Sequence, residues 1–294
     1  MYKTHMLGLT AVVILWPFSL FGQQPATPAE LIPQGWYVYP DSKLKGLDKN
    51  TLRCFNYSHN EWQVTGEGHG VKITKLSRQK GEAQVVPSLP PLLKHEDGMP
   101  GRTISAGLRS ATHFQNAWLL AYDGGEWGGA LLLTNEDGTK TKQIIGGNIR
   151  GLVPIDGGVV VLSGLAHMGF NYGNAFILSN PDGLTISLEH AFSLDSVPNA
   201  SVKESDDSVL FVTTYRLHRI RKSGELRGLT YLPLWTVQQY PNSMAIAADG
   251  SLYVGMRMFV LRLRLDSGSY MPEMLLPEKC QKFELRDHDC ACMP

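Results

Sequence analysis

The chain is short of charge. Asp, Glu, Lys and Arg make up 18 % of its 294 residues, and 27 basic side chains are matched by 27 acidic ones. Soluble domains usually carry about 25 % charged residues. A balanced chain lacks the clustered Lys and Arg that a phosphate backbone demands, so nucleic acid is not an expected partner. Long apolar runs are scarce too. The one sustained run, Met6 to Phe21, spans 16 residues, below the roughly 20 needed to cross a bilayer as a helix. Familiar catalytic signatures are missing: there is no P-loop, no G-x-G-x-x-G after a strand, no H-E-x-x-H, no G-x-S-x-G and no EF-hand loop. Cysteine is rare, with four in all. What is plentiful is glycine, 30 residues, set among Val, Leu, Tyr and Thr. That mixture favours strands and tight turns over helices.

The apolar run follows Lys3 and His5 and gives way to Gly22 and then Gln23-Gln24-Pro25-Ala26-Thr27-Pro28. A basic start, an apolar stretch broken late by Pro17, and a small residue before polar sequence describe a secretory signal peptide over 1–22. An uncleaved anchor is the alternative, whereas a lipoprotein anchor would need a cysteine near the junction. The expected plan is then a flexible segment 23–34, a main domain 35–279 and a cysteine-containing tail 280–294, with no membrane span after cleavage and an extracytoplasmic (periplasmic or secreted) location. Cys54 lies early, while Cys280, Cys290 and Cys292 lie in the tail. A bridge between Cys290 and Cys292 across one residue would be badly strained. The expected scheme ties Cys54 to one tail cysteine and pairs the other two, clasping the chain ends in an oxidising compartment. The rival is a metal site in Asp287-His288-Asp289-Cys290-Ala291-Cys292.

Four segments share one layout of apolar strand, irregular connection, second strand and turn. They run from Trp118 to Gly138, Gly158 to Gly183, Ser208 to Gly224 and Ser251 to Gly268. Their closing glycines are 45, 41 and 44 residues apart. Repeats of about 40–45 residues holding several short strands are the mark of propeller blades. The Asp-Gly and Ser-Gly closings suit hairpin turns, which need a residue that tolerates positive φ. A weaker unit covers Glu61–Thr65 and Val71–Leu76, and Gly35–Tyr39 could be the strand that closes the ring. The expected fold is an all-β propeller of six blades, with five as the second count. Trp36, Trp62, Trp118 and Trp235 are read as packing between blades. The basic tract Arg216, His218, Arg219, Arg221 and Lys222 is read as a solvated strand edge.

Met244-Ala-Ile-Ala-Ala-Asp-Gly-Ser-Leu-Tyr-Val-Gly255 resembles the strand–Asp-Gly–strand element of NHL and gluconolactonase-like propellers. The resemblance covers one repeat well and the others in outline, and it implies the fold. The segments Gly124–Gly129, Gly164–Gly169 and Tyr253–Val260 also resemble secreted bacterial propeller-like proteins, which implies no activity.

The loops between paired strands should emerge on one face. They carry Glu126 and Trp127, then His167, Asn171 and Tyr172, then Thr214 and Tyr215, then Met256 and Arg257. Such a set could form a polar ligand site at the mouth of the channel. The plainer reading keeps Glu126 and His167 structural, with the neighbouring glycines allowing close backbone approach. Asn56-Tyr-Ser58 and Asn199-Ala-Ser201 are glycosylation sequons in a eukaryotic host. The leading functional reading is a non-catalytic binding module for a protein, peptide or glycan, without a cofactor. The alternative is a metal-dependent hydrolase of the lactonase type, using Ca or Zn at the mouth, although only Glu126 offers a clearly placed carboxylate. An ancillary domain that stabilises a secreted neighbour is a third option. N-terminal sequencing of protein secreted with its own leader should begin at Gln23; a mature chain that still starts at Met1 would mark the segment as an anchor.

Overall fold

A computed structural model describes residues 32–40, 60–76, 108–179, 185–232 and 240–282. A short strand β1 (Trp36–Val38) is followed by a hairpin of β2 (Trp62–Glu67) and β3 (Gly70–Lys75). Four antiparallel meanders follow. The first holds β4 (Leu108–Phe114), β5 (Ala117–Asp123), β6 (Gly129–Asn135) and β7 (Thr141–Gly146); the second holds β8 (Ile149–Ile155), β9 (Gly158–His167), β10 (Phe170–Ser179) and β11 (Ser187–Leu194). The third holds β12 (Pro198–Lys203), β13 (Ser208–Thr213), β14 (Arg216–Arg221) and β15 (Leu226–Tyr231), and the fourth β16 (Ser243–Ile246), β17 (Leu252–Gly255), β18 (Val260–Asp266) and β19 (Ser269–Pro277).

First strands are neighbours in space: β4 lies against β8, β8 against β12, β12 against β16 and β16 against β2. Successive meanders arrayed by their first strands make a β-propeller. The expected pairing of the first strand with the C-terminal sheet is present. Strand β1 adds to the fourth sheet beside β19, with Trp36 opposite Pro277 and Val38 opposite Leu275. The described residues hold five sheets, four of them full meanders; the expected count of six blades is not decided by them, because residues 77–107 lie outside.

The repeats of the sequence are out of phase with these sheets. Each apolar run, such as Leu119–Tyr122 or Val209–Thr213, is the second strand of its meander and not the innermost. Second strands are buried along nearly their whole length, as in β13, where all six residues are covered. Outer strands such as β7 and β15 are largely open. Burial on both faces makes a strand read as continuously apolar, so the sequence shows this middle layer most clearly. The closing glycines 138, 224 and 268, at positive φ, turn the chain from third to fourth strand; Gly183 lies outside the described residues.

The core consists of layers between neighbouring sheets. Leu119, Leu131, Ile149, Val159 and Val161 join the first and second meanders. Val160, Leu162, Ile177, Val209 and Phe211 join the second and third. The third and fourth share Leu210, Val212, Leu217, Val254, Phe259 and Leu261, and Trp62, Val64, Tyr253 and Leu275 attach the hairpin to the fourth. Trp36 meets Trp62 edge to face at 4.8 Å across that last boundary, which matches the expected packing. Trp118 instead meets His113 within its own sheet, and Trp235 lies outside the described residues. Cys280 is buried in the largest layer, and no described cysteine is a free thiol. Cys54, Cys290, Cys292 and the 287–292 metal rival lie outside the described residues.

One expectation about charge is corrected. The basic tract of β14 is no edge: the strand pairs on both sides, with β13 and β15. Arg219 forks onto Glu204, Arg216 reaches Asp195, and Lys222 reaches Asp156. In β18, Arg262 is as buried as Leu261 and Leu263 beside it and pairs with Asp249 and Glu273. Leu265, further along the strand, faces water.

His218 in the same tract is buried and stacks on Phe211, with ring centroids 5.1 Å apart. Burial holds its pKa below the ordinary 6.5; Asp195 pulls it up and Arg216 pushes it down further. The unfolded chain therefore binds the proton first, so this stability is present above pH 6.5 and lost as pH falls through the lowered native value. The melting temperature should drop between pH 7 and pH 5, and a His218→Gln variant should show a flatter profile. Identical slopes for the two proteins would contradict the assignment.

Candidate ligand site at the first-strand ends

In three of the meanders the turn between second and third strands, or a residue beside it, touches the start of the next first strand. Asn148, just before β8, donates to the Gly125 carbonyl. Asn171, beside the β9–β10 turn, accepts the Val197 N–H just before β12. Trp62 N–H donates to the Met256 carbonyl at the start of β2. This geometry puts loops and first-strand ends on one face of the ring.

Three first strands carry a bulge at the same place. In β4 the register slips between Leu108 and Ser110, in β8 between Ile149 and Gly151, and in β12 between Pro198 and Ala200. The extra residues are Arg109, Arg150 and Asn199. A bulge leaves one residue without a ladder partner and re-aims its side chain. Here all three enter one polar network.

Its centre is Asp123, at the end of β5, with a side chain 2 % exposed. One oxygen, Oδ2, lies 2.7 Å from Arg109 Nε and 2.6 Å from an Arg150 guanidinium nitrogen. The other accepts the Gly125 N–H at 3.0 Å. A buried carboxylate with these three partners has its acceptor oxygens well satisfied. Burial and the neighbouring Arg150 depress the Arg109 pKa, against the pull of Asp123. The second guanidinium arm of Arg150 stands 3.5 Å from Asn199 Oδ1, and Asn199 donates to the Val197 carbonyl. Asn199 is thus half-buried at the cavity wall within a polar network, which is unlike a glycosylation acceptor.

Beside Arg150 opens a cavity of about 130 Å³ where three meanders meet, lined by Arg150, Asn199, Ser201, Asn242 and Ser243, with Leu162, Pro198 and Ala200. Asn242 donates to the Trp62 carbonyl and Ser243 accepts the Val64 N–H, so the far wall is tied to the hairpin.

The residues singled out from sequence fall into separate groups around this face. Glu126 and His167 do meet, from neighbouring meanders: Glu126 Oε2 lies 2.9 Å from His167 Nε2, off the line of a hydrogen bond, and both are about half-exposed. Asn171 accepts the Val197 N–H and donates to Thr214, fastening the β9–β10 hairpin to the third meander. That makes it a brace. Trp127 is 70 % exposed and Tyr172 50 %, with Tyr215 also open on the rim. Arg257 sits across the ring, 4.0 Å from Glu61 and stacked 3.9 Å over the Tyr240 ring. The seven do not form a single constellation. The glycines near Glu126 do permit close approach: a Cβ on Gly129 would stand 2.2 Å from the Tyr122 carbonyl oxygen.

Sequence reasoning missed Arg109, Asp123, Arg150 and Asn242. A signal was present, since Arg109, Arg150 and Asn199 follow one another at 41 and 49 residues, close to the repeat length. They sit in weakly patterned first strands that the repeats as drawn left out. As for a metal, no three His, Cys, Asp or Glu side chains come together among the described residues. Two carboxylates at this face, Asp123 and Glu61, are turned toward arginines, a pairing that does not suit a divalent cation.

No protein-family model matches the chain, and no curated protein does. Solved structures do. A gluconolactonase from Xanthomonas campestris is 13 % identical at a TM-score of 0.38, covering 58 % of this chain and 63 % of its own. The extracellular domain of a putative one-component system from B. thetaiotaomicron is 11 % identical at 0.40, covering 72 % and 26 %. A surface component of the type-IX secretion system of Porphyromonas gingivalis is 9 % identical at 0.42, covering 77 % and 36 %. The chain is distantly similar to gluconolactonase-like and other propellers. It spans less than two thirds of the length of each of these three structures.

Removing the central charge should be costly. Asp123→Asn keeps the acceptor for Gly125 but leaves two guanidinium groups side by side. Because Arg109 is partly open to water, a loss of about 2–3 kcal/mol is expected, within the range for breaking charged, largely buried contacts. Urea unfolding with an unchanged m-value checks it, and a loss under 0.5 kcal/mol (about the scatter of surface substitutions) would contradict the central role.

Proposed function

We propose that this protein is an extracytoplasmic, non-catalytic binding module that takes a polar group of a protein, peptide or glycan at the cavity beside Arg150. One observation carries the reading: a polar cavity at the junction of three meanders, walled by a guanidinium that a bulge aims inward. Sites of this kind, a few convergent polar groups on a rigid frame, are where propellers and other scaffolds hold ligands. Open aromatic rings at Trp127, Tyr172 and Tyr215 on the rim offer contact area beyond the cavity. The extracytoplasmic part rests on the leader-like first 22 residues and on the expected clasp between Cys54 and the tail. Buried Cys280, not a free thiol, stands next to the closing strand partner β19 and supports that clasp. The hydrolase alternative finds no three-ligand cluster to draw on among the described residues.

A thermal-shift screen of sugars, sugar acids, amino acids and short peptides tests the reading. At least one compound should raise the melting temperature of the wild-type protein, and Ser201→Ala or Asn199→Ala should abolish that rise. Ca²⁺- or Zn²⁺-dependent hydrolysis of a lactone panel above the buffer rate would overturn the non-catalytic reading. A stabiliser whose effect survives both substitutions would move the site elsewhere.

A further inference from the structure

The same cavity has a charge imbalance that its neighbours lack. Around the ring face, Glu61 stands opposite Arg257 and Asp195 opposite Arg216. The central cluster sets two guanidinium groups against one carboxylate, Arg109 and Arg150 against Asp123. It therefore carries one positive charge beyond balance, close to the axis and partly shielded from water.

Arg150 also holds unused bonding capacity. A guanidinium offers five N–H donors in a planar fork. One arm is engaged strongly, 2.6 Å from Asp123, and the other stands at 3.5 Å from Asn199, at the edge of hydrogen-bond range. Its Nε is buried and has no hydrogen-bond partner. Buried donors normally find an acceptor, so an unsatisfied one beside a polar cavity calls for explanation. An anion in that cavity supplies it, adding charge balance and acceptor oxygens together.

We infer that the cavity is a carboxylate-binding site, gripped by Arg150, for a small monoanion bearing hydroxyl or amide groups next to its carboxylate. The inference rests on the proposed binding reading and names its ligand class. One surplus positive charge matches a monoanion; a phosphate dianion would leave net negative charge in a partly desolvated place. A planar fork suits a planar carboxylate in bidentate contact. The remaining wall of Asn199, Ser201, Asn242 and Ser243 is neutral and both donates and accepts, which suits hydroxyl or amide neighbours. The carboxylate could belong to a free sugar acid or to a uronic-acid unit of a polymer.

Isothermal titration of the mature protein with glucuronate, glucose, inorganic phosphate and a polyuronate oligomer tests this. Glucuronate should bind, and glucose, uncharged and with a hydroxymethyl group in place of the carboxylate, should bind at least ~10-fold more weakly, the loss expected for a charge-assisted contact. Arg150→Lys keeps the charge and its pairing with Asp123 but removes the fork; with an unchanged melting temperature it should weaken glucuronate by about tenfold. Arg150→Gln should weaken it further, and a melting curve checks that it folds. Affinity for the oligomer above that for the monomer assigns the polymer as the source; equal or lower affinity assigns the free acid. Equal binding of glucose and glucuronate overturns the carboxylate inference and leaves the binding reading standing. Phosphate binding tighter than glucuronate overturns the monoanion assignment. If none of the four binds, the carboxylate inference falls, while the broader reading falls only when the wider screen also finds no stabiliser that depends on Asn199 or Ser201.

Discussion

Everything in this molecule depends on second strands that must be covered on both faces. Val159, Val160 and Val161 are each fully buried, and the odd and even members of that run belong to different apolar layers. One face of β9 packs toward the first meander and the other toward the third. No single sheet can satisfy such a strand. Stacking sheets side by side does so, and each added meander brings another two-faced strand that needs a further neighbour. Strand β1, pairing with β19, gives the fourth sheet a fifth strand drawn from the start of the chain.

The polar face follows from the same arrangement. First strands crowd together near the axis, so their ends hold side chains from several meanders within a few ångströms. Regular pleating would send alternate residues into the apolar layers. Bulges at Arg109, Arg150 and Asn199 break that alternation and let polar side chains meet where the backbones converge. Asp123 fits the scheme because it ends a second strand, at the height where the next first strand begins. Its burial turns two exposed-looking arginines of the sequence into a cluster whose charge matters, since a low-dielectric surrounding strengthens each contact.

Much of the fold was legible. The closing glycines 138, 224 and 268 sit in turns that demand positive φ, a local requirement visible in one dimension. The closing strand was legible as well, since Trp36-Tyr-Val38 is an apolar, β-prone island far from the repeats. The phase of the repeat was not. First strands such as Ile149-Arg-Gly-Leu-Val-Pro-Ile155 mix charge, glycine and proline, and fourth strands such as β7 and β15 are largely open to water, so neither shows a clean period. The site suffered from this most, because its side chains belong to the first strands. Glu126 and His167 were found since they sit in glycine-flanked loops, and their contact across two meanders was inferable from equivalence of loops. The role of Asn171 as a brace was not, because its partners Val197 and Thr214 lie in a different sheet.

By itself the sequence determined that this is an all-β chain of repeated strand pairs joined by glycine turns, neutral overall and with a leader-like start. Those properties are local: turn chemistry, strand propensity and summed charge need no knowledge of distant neighbours. Only the tertiary structure decided which charges stand alone. Arg219, Arg262 and Arg264 find carboxylates within their own sheets, while Arg109 and Arg150, 41 residues apart, converge on one buried Asp123. Neutrality in the sum thus conceals a local excess of positive charge. Coulomb interactions act through space over a few ångströms, and nothing in the order of residues states which side chains the closing of the ring will bring within that range.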